Sequence, residues 1–257
     1  MTADLTQLVQ GLNELGWQGL LVFLRIGAAM ALLPAMGERN LSVRVRLLAA
    51  LALTVVITPL VAGPPPEPSF VVFSQYLATE TLAGLALGAM LRLVLLALQT
   101  AGSIAAQSTS LSQLLGGSAT EPLPAIGHIL TVAGLALLMM TGFHIKAAEF
   151  LTGSYTVLPA GEFPKPSDLT RWGVAGVARS FSLAFQLAVP FVILSVLYNL
   201  AIGAINRAMP QLMVAFVGAP LITFGAIAML MLAAPTMLQV WSAALDGFLR
   251  APLDLSP

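Results

Sequence analysis

The stretch that decides the fold class is SFSLAFQLAVPFVILSVLYNLAIGAIN, residues 180–206, which contains no Asp, Glu, Lys or Arg. A helix needs about 20 predominantly apolar residues to cross the hydrocarbon core of a bilayer. This stretch is longer than that limit, and four other uncharged intervals also reach it: 47–66, 93–120, 122–143 and 208–245. The sequence therefore predicts an integral membrane protein.

The overall composition supports the same class and excludes others. Hydrophobic residues make up 58% of the 257 residues and charged residues 9%, whereas soluble domains contain about 25% charged residues. Eleven basic and eleven acidic residues leave no net charge, so the chain lacks the basic surface that binds nucleic acid. The absence of cysteine excludes a disulfide and a thiolate metal site.

The apolar pattern predicts an all-α protein with about six helical elements. Prolines at 190, 220 and 235 fall within the longest of these, and a proline removes a backbone donor and tends to bend a helix. We therefore expect some of the helices to be bent. The predicted elements span residues 16–36, 47–62, 81–106, 125–142, 174–205 and 213–240.

A few charged residues lie within the apolar elements or at their ends. An ionisable group at membrane depth is costly and normally faces protein or water. Arg25 lies inside the first element, Glu80 and Arg92 belong to the third, and Arg207 follows the fifth. We predict that these four are structural buried charges. For Arg92, a side chain that reaches to the membrane interface is an open alternative.

The polar run QSTSLSQLLGGSATEP, residues 107–122, interrupts the apolar pattern. Its hydroxyl and amide groups bond to water or backbone without fixed charge, and Gly116 and Gly117 permit backbone rearrangement. Leu111, Leu114 and Leu115 are able to close a constriction by excluding water. From the residues alone, an ordinary surface loop and an element inside a pore are both open.

The sequence favours neither an enzyme nor a cofactor protein. His128 and His144 are its two histidines, sixteen positions apart, and the chain has no cysteine, so a metal or haem site is disfavoured. The spacing of Ser118 and His128 establishes neither a nucleophile with its base nor an oxyanion hole. We therefore expect no catalytic residues, no metal and no cofactor.

Four segments of the chain form an ordered pattern of modest motifs: LRIGAAMALLPAMGERNLSVRVR, ETLAGLALGAMLRL, GFHIKAAEFLTGSYTVLPAG and INRAMPQLMVAFVGAPL. The residues that define the pattern are Arg25 with Pro34, Glu80 with Gly84 and Gly88, Gly142 with His144, Ser154 with Pro159 and Gly161, and Arg207 with Pro210 and Gln211. In this order and spacing they resemble the FliR family of flagellar export-gate proteins and its type III secretion counterparts. The chain departs from the family pattern where it has Met213 in place of Asn and Ala215 in place of Phe.

The resemblance implies a subunit of the flagellar type III export gate, through which unfolded flagellar proteins are secreted. It implies P and Q gate subunits as partners, along with other membrane proteins of the export apparatus. Residues 1–173 would be similar to a P subunit, and residues 174–257 to the helical hairpin of a Q subunit. The location implied is the bacterial inner membrane at the flagellar basal body, with part of the assembly towards the periplasm.

The resemblance also implies that residues 107–122 plug the channel. The residues that it assigns to the plug are Gln107, Ser108, Leu111, Leu114, Leu115, Gly116 and Gly117. A solute transporter or channel subunit is the alternative function, because bent helices and buried charges serve that purpose too.

Overall fold

The computed structural model describes residues 2–38, 41–61, 67–109, 125–209 and 214–251, and within these ranges all regular structure is helical. The α-helices are α1 Thr2–Leu32, α2 Val43–Ile57, α3 Phe70–Thr109, α4 Ala125–Met140, α5 Phe143–Val157, α6 Pro166–Ala208 and α7 Val214–Arg250. A short 3-10 helix, Thr58–Leu60, extends α2. The predicted all-α fold is confirmed.

The number of membrane-spanning candidates also agrees with the prediction. By length and composition, five helices could cross a membrane: α1, α2 with its 3-10 extension, α3, α6 and α7. The pair α4 and α5 supplies a sixth candidate if the two helices form one broken span, because they are bent by 76° at the residues between them. The expectation of about six apolar helical elements is confirmed, whereas the bends expected at the prolines stay a prediction.

Helix α5 was not predicted as a separate element. The break before it falls at Gly142, whose φ of 73° is in the left-handed region that favours glycine. Apolar and polar residues alternate around α5, so its average hydropathy is low and a search for apolar runs does not find it. Its buried face consists of Phe143, Ala147, Phe150, Leu151 and Ser154.

Helix α3 begins earlier than predicted. The expected start was residue 81, whereas the helix begins at Phe70. The reason is that Ser74, Gln75 and Thr79 reduce the hydropathy of its first turns. Glu80 therefore lies well inside the helix instead of at its start.

The chain forms two compact units. Unit 1 comprises Met1–Arg92, Met139–Ala175 and Leu249–Leu255, and unit 2 comprises Leu93–Leu138, Gly176–Phe248 and Ser256–Pro257. Each unit is assembled from separate parts of the chain. The division into a P-like part and a Q-like part at residue 173 stays a prediction.

In unit 1, α1 and α3 pack with their backbones close together. Gly84 and Gly88 are one turn apart on α3, in the small-xxx-small spacing that lets membrane helices approach closely. A Cβ atom on Gly84 would collide with the carbonyl oxygen of Arg25, and one on Gly88 would lie 2.6 Å from the carbonyl oxygen of Ala29. The two glycines therefore set the distance between α1 and α3.

In unit 2, α3 and α4 also touch through glycine. A Cβ atom on Gly102 of α3 would collide with the Cα atom of Gly127 of α4. Trp241 of α7 is fully buried and donates its indole N–H to the carbonyl oxygen of Val94, at 2.8 Å. These contacts fix α4 and α7 against the second half of α3.

Candidate functional site

Arg25 of α1 and Glu80 of α3 form a fully buried ion pair in unit 1. The Nε atom of Arg25 donates to Oε2 of Glu80 at 2.8 Å, and its Nη2 atom donates to Oε1 at 3.1 Å. Two parallel charge-assisted hydrogen bonds of this kind are stronger and geometrically more specific than a single contact. The pair joins two helices whose separation is set by Gly84 and Gly88.

Residues from α5 and the connector after it complete the coordination of this pair. The Nη1 atom of Arg25 donates to Oγ of Ser154 at 3.1 Å, and Nη2 donates to the carbonyl oxygen of Leu158 at 2.8 Å. The backbone N–H of Gly161 donates to Oε1 of Glu80 at 2.9 Å. Four of the five N–H groups of the guanidinium thus have protein acceptors.

Two tyrosine rings border the cluster. The Cζ atom of Arg25 lies 3.8 Å from the centre of the Tyr155 ring, a cation–π contact that stabilises the buried charge further. Gly161 has a φ of 77°, and a Cβ atom there would lie 2.6 Å from the ring of Tyr76. Gln75 donates to the carbonyl oxygen of Gly161 at 2.8 Å, so the connector is held from α3.

We call Arg25, Glu80, Ser154, Leu158 and Gly161 the buried charge cluster. It connects α1, α3, α5 and the connector after α5 within unit 1. A charge removed from water is tolerated when it is paired and hydrogen-bonded, and removing one partner from such a pair costs about 3–5 kcal/mol. The arrangement suits a structural role, because the donors and acceptors of the two side chains are largely used within the cluster.

Arg92 lies in a more exposed ion pair. Its Nη1 atom is 2.8 Å from Oε1 of Glu38, and the side chains of the two residues are 27% and 23% exposed. Arg46 donates to the carbonyl oxygens of Met36 and Glu38 at 3.0 and 3.1 Å, which holds the turn that carries Glu38. A pair this accessible to solvent contributes about 0–1 kcal/mol.

Arg207 is exposed in the last turn of α6, so the structure does not place it among the buried charges. A helix C-terminus carries a partial negative charge, and a cation there is favourable without burial.

The predicted plug residues fall partly within the described chain. Gln107 is exposed and Ser108 is half-buried near the end of α3. The hydroxyl of Ser195 on α6 donates to the carbonyl oxygen of Ser108, and Asn199 donates to Oγ of Ser195 at 3.3 Å. The remaining plug residues lie outside the described residues: Leu111, Leu114, Leu115, Gly116 and Gly117.

Sequence reasoning missed several of these partners. Ser154 and Gly161 were noted as features of a family pattern, but nothing in the sequence connects them with Arg25. Ser195 and Tyr155 carried no signal at all. Within the part of the chain that the structure describes, no group of three or more His, Asp or Glu residues is placed to hold a metal ion.

Comparison with known proteins gives a consistent result. The family described as bacterial export proteins, family 1, matches residues 17–248 of this chain. A flagellar biosynthetic protein FliR from Caulobacter vibrioides is 34% identical over 227 residues, which cover 86% of this chain and 90% of that protein. The protein of the same name from Escherichia coli is 31% identical, and the match covers 77% of this chain and 77% of that protein. The one from Bacillus subtilis is 29% identical, and the match covers 79% of this chain and 80% of that protein.

Proposed function

Because the chain belongs to the bacterial export proteins of family 1, we propose that it forms part of the gate through which unfolded flagellar proteins are secreted. It is a subunit of the flagellar export apparatus, and several of its helices are long and apolar enough to cross a membrane. The observation that carries the proposal is the family match over residues 17–248. The role proposed is structural and not catalytic.

The partners that we propose are the P and Q gate subunits, with other membrane proteins of the export apparatus. The surfaces of α6 and α7 support this proposal, since only 17% of the most apolar stretch of each helix is buried by other parts of the chain. Exposed apolar surface of this extent needs lipid or apolar protein to cover it. In this proposal, residues 1–173 are P-like and residues 174–257 form a Q-like hairpin.

We place this assembly in the bacterial inner membrane at the flagellar basal body, with part of it towards the periplasm. The protein expressed without its partners should then aggregate or be degraded. Expression with and without the P and Q subunits, followed by size-exclusion chromatography in detergent, tests this. A well-behaved, fully folded monomer would count against the proposed partners.

Residues 107–122 are proposed to plug the channel of this gate. The polar run begins in the last turn of α3 and precedes α4 in the chain, and these two helices pack backbone to backbone at Gly102 and Gly127. Its uncharged polar groups would neither trap nor repel a passing chain strongly, and its three leucines are able to exclude water. No observation on the described residues specifically favours a solute transporter.

Deletion of residues 111–117 tests the plug. We expect the assembled complex to be retained and the membrane to become permeable to ions and small solutes. A second variant replaces Leu111, Leu114 and Leu115 by Ser, which keeps the length of the run and removes its apolar seal. Permeability is measured in cells while co-purification with the partner subunits is followed in parallel. Intact assembly with unchanged permeability would contradict the plug.

A further inference from the structure

Helices α3 and α6 are joined in unit 2 by two hydrogen bonds of the same kind. The hydroxyl of Ser180 donates to the carbonyl oxygen of Leu93 at 2.7 Å, and the hydroxyl of Ser195 donates to the carbonyl oxygen of Ser108. In each bond, 87 residues separate the donor from the acceptor. The bonded positions therefore advance together along the two helices, which run parallel here for about 22 Å at 1.5 Å per residue.

The two carbonyl groups differ in what else they are bonded to. Leu93 lies inside α3, where its carbonyl oxygen also accepts the backbone hydrogen bond of the helix. Ser108 lies in the last turn of α3, which ends at Thr109. The last four carbonyl groups of an α-helix have no partner within the helix. Ser195 thus satisfies a carbonyl group at the helix end, as a capping residue does, but from a neighbouring helix.

Asn199 supports the Ser195 hydroxyl from one turn further along α6. Its side-chain amide donates to Oγ of Ser195 at 3.3 Å. A serine hydroxyl has one hydrogen, and here that hydrogen goes to the Ser108 carbonyl oxygen. The two bonds form a short chain in which each strengthens the other. Ser195 is buried, so water has little access to compete for its hydroxyl.

The Ser195 contact lies where the polar run 107–122 begins. The hydroxyl of Ser108 donates to the carbonyl oxygen of Ala105 at 2.9 Å, so the contact with α6 uses the backbone of Ser108 and not its side chain. Beyond the run, α4 begins at Ala125 and is held by the contact of its Gly127 with α3. The described chain on both sides of the run is therefore attached to a neighbouring helix, and α6 supplies the attachment at the start.

We propose that Ser195 is a positioning residue for the plug. Its hydroxyl fixes the end of α3 and so sets the point from which the run leaves, and Asn199 orients that hydroxyl. The inference rests on the proposed function, because a plug that starts from a loosened helix end should close the channel less well. It adds α6 to the elements that control the closed state.

Substitution of Ser195 by alanine tests the contact. Ser195→Ala removes the hydroxyl, and the Ser108 carbonyl is half-buried, so water replaces the lost donor only in part. Loss of a hydrogen bond of this kind shifts the equilibrium towards the released helix end about twofold to tenfold. We expect the permeability of cells that contain the assembled gate to ions and small solutes to rise by that factor.

Ser180→Ala is the matched control. It removes the same kind of bond between the same two helices, but the Leu93 carbonyl keeps its partner within α3. Permeability should stay at the wild-type level. An equal leak in Ser180→Ala would overturn the inference, because the effect would then belong to the packing of α3 on α6 in general.

Asn199→Leu is the second variant. It removes the supporting amide, keeps the Ser195 hydroxyl and lies at an exposed position, so the fold should not depend on it. We expect a smaller rise in permeability than in Ser195→Ala. If Ser195→Ala does not assemble, Asn199→Leu decides the question, and wild-type permeability in that variant would overturn the inference.

A spin label reports on the helix end directly. The chain has no cysteine, so Gln107→Cys, at an exposed position next to Ser108, takes a label at a single site. In the purified complex, the label should be more mobile in Ser195→Ala than in the wild type or in Ser180→Ala. Unchanged mobility in Ser195→Ala would show that its hydroxyl does not fix the helix end.

The deletion of residues 111–117 separates this inference from the proposed function. If the deletion leaks and Ser195→Ala does not, the plug stands and the inference is wrong, whatever the mobility of the label. If the label becomes mobile in Ser195→Ala and neither variant leaks, Ser195 still fixes the end of α3 and the proposed plug is wrong.

Discussion

Substitution of Glu80 by alanine should destabilise the protein much more than loss of a partner from the exposed Arg92–Glu38 pair. The change leaves the fully buried Arg25 without the two bonds that it makes to the carboxylate, and leaves the N–H of Gly161 without its acceptor. The cost of breaking a buried pair in this way is about 3–5 kcal/mol. Domain stabilities are about 5–15 kcal/mol, so the loss is a large part of the total.

The ion pair between Arg92 and Glu38 provides the matched control. It has the same 2.8 Å N···O separation as the shorter contact of the buried pair, but its side chains are 27% and 23% exposed instead of 1% each. Glu38→Ala should therefore cost about 0–1 kcal/mol. The difference between the two variants measures the effect of burial on the same type of ion pair.

The double variant Arg25→Leu with Glu80→Leu separates loss of a partner from loss of the pair. Replacing a whole buried pair by apolar residues is often neutral or stabilising, because no charge is left unpaired. We expect the double variant to be more stable than Glu80→Ala alone. Thermal unfolding in detergent, followed by tryptophan fluorescence, measures stability, and co-purification measures assembly.

Two results would refute this reasoning. Equal, small effects of Glu80→Ala and Glu38→Ala would mean that burial does not make the Arg25 pair critical. If Glu80→Ala assembled normally and only export failed, Glu80 would have a role at the channel wall instead of in helix packing.

Two further predictions concern backbone positions. Gly84→Ala should prevent close packing of α1 and α3 and lower the yield of folded protein, because the new Cβ would collide with the Arg25 carbonyl oxygen. The control Gly203→Ala should be tolerated, because no atom lies within 4 Å of a Cβ at that position. Equal yields of the two variants would contradict the prediction. Ala35 has a φ of 67°, which glycine adopts without strain, so Ala35→Gly should stabilise the protein by up to about 1 kcal/mol in the same unfolding assay. The control Ala52→Gly, at an exposed position inside α2, should destabilise it by a similar amount, and a loss of stability in both would contradict the prediction.

Local sequence properties accounted for the fold class and most of the helices. Hydropathy depends on neighbouring residues along the chain, so the uncharged interval 180–206 was sufficient to predict a membrane helix. The same local measure missed α5, in which buried and exposed residues alternate, and placed the start of α3 too late. Both errors occur where polar residues lie inside a helix.

The sequence by itself determined that this is an all-α membrane protein and that Arg25 and Glu80 are costly charges needing partners. Only the tertiary structure decided which groups satisfy them, because Ser154 and Leu158 are 129 and 133 residues from Arg25 along the chain. Hydropathy measures the cost of burying a charge and says nothing about its partner. The partner depends on where helices cross, which here is set by the close approach of α1 to Gly84 and by the return of the connector after α5.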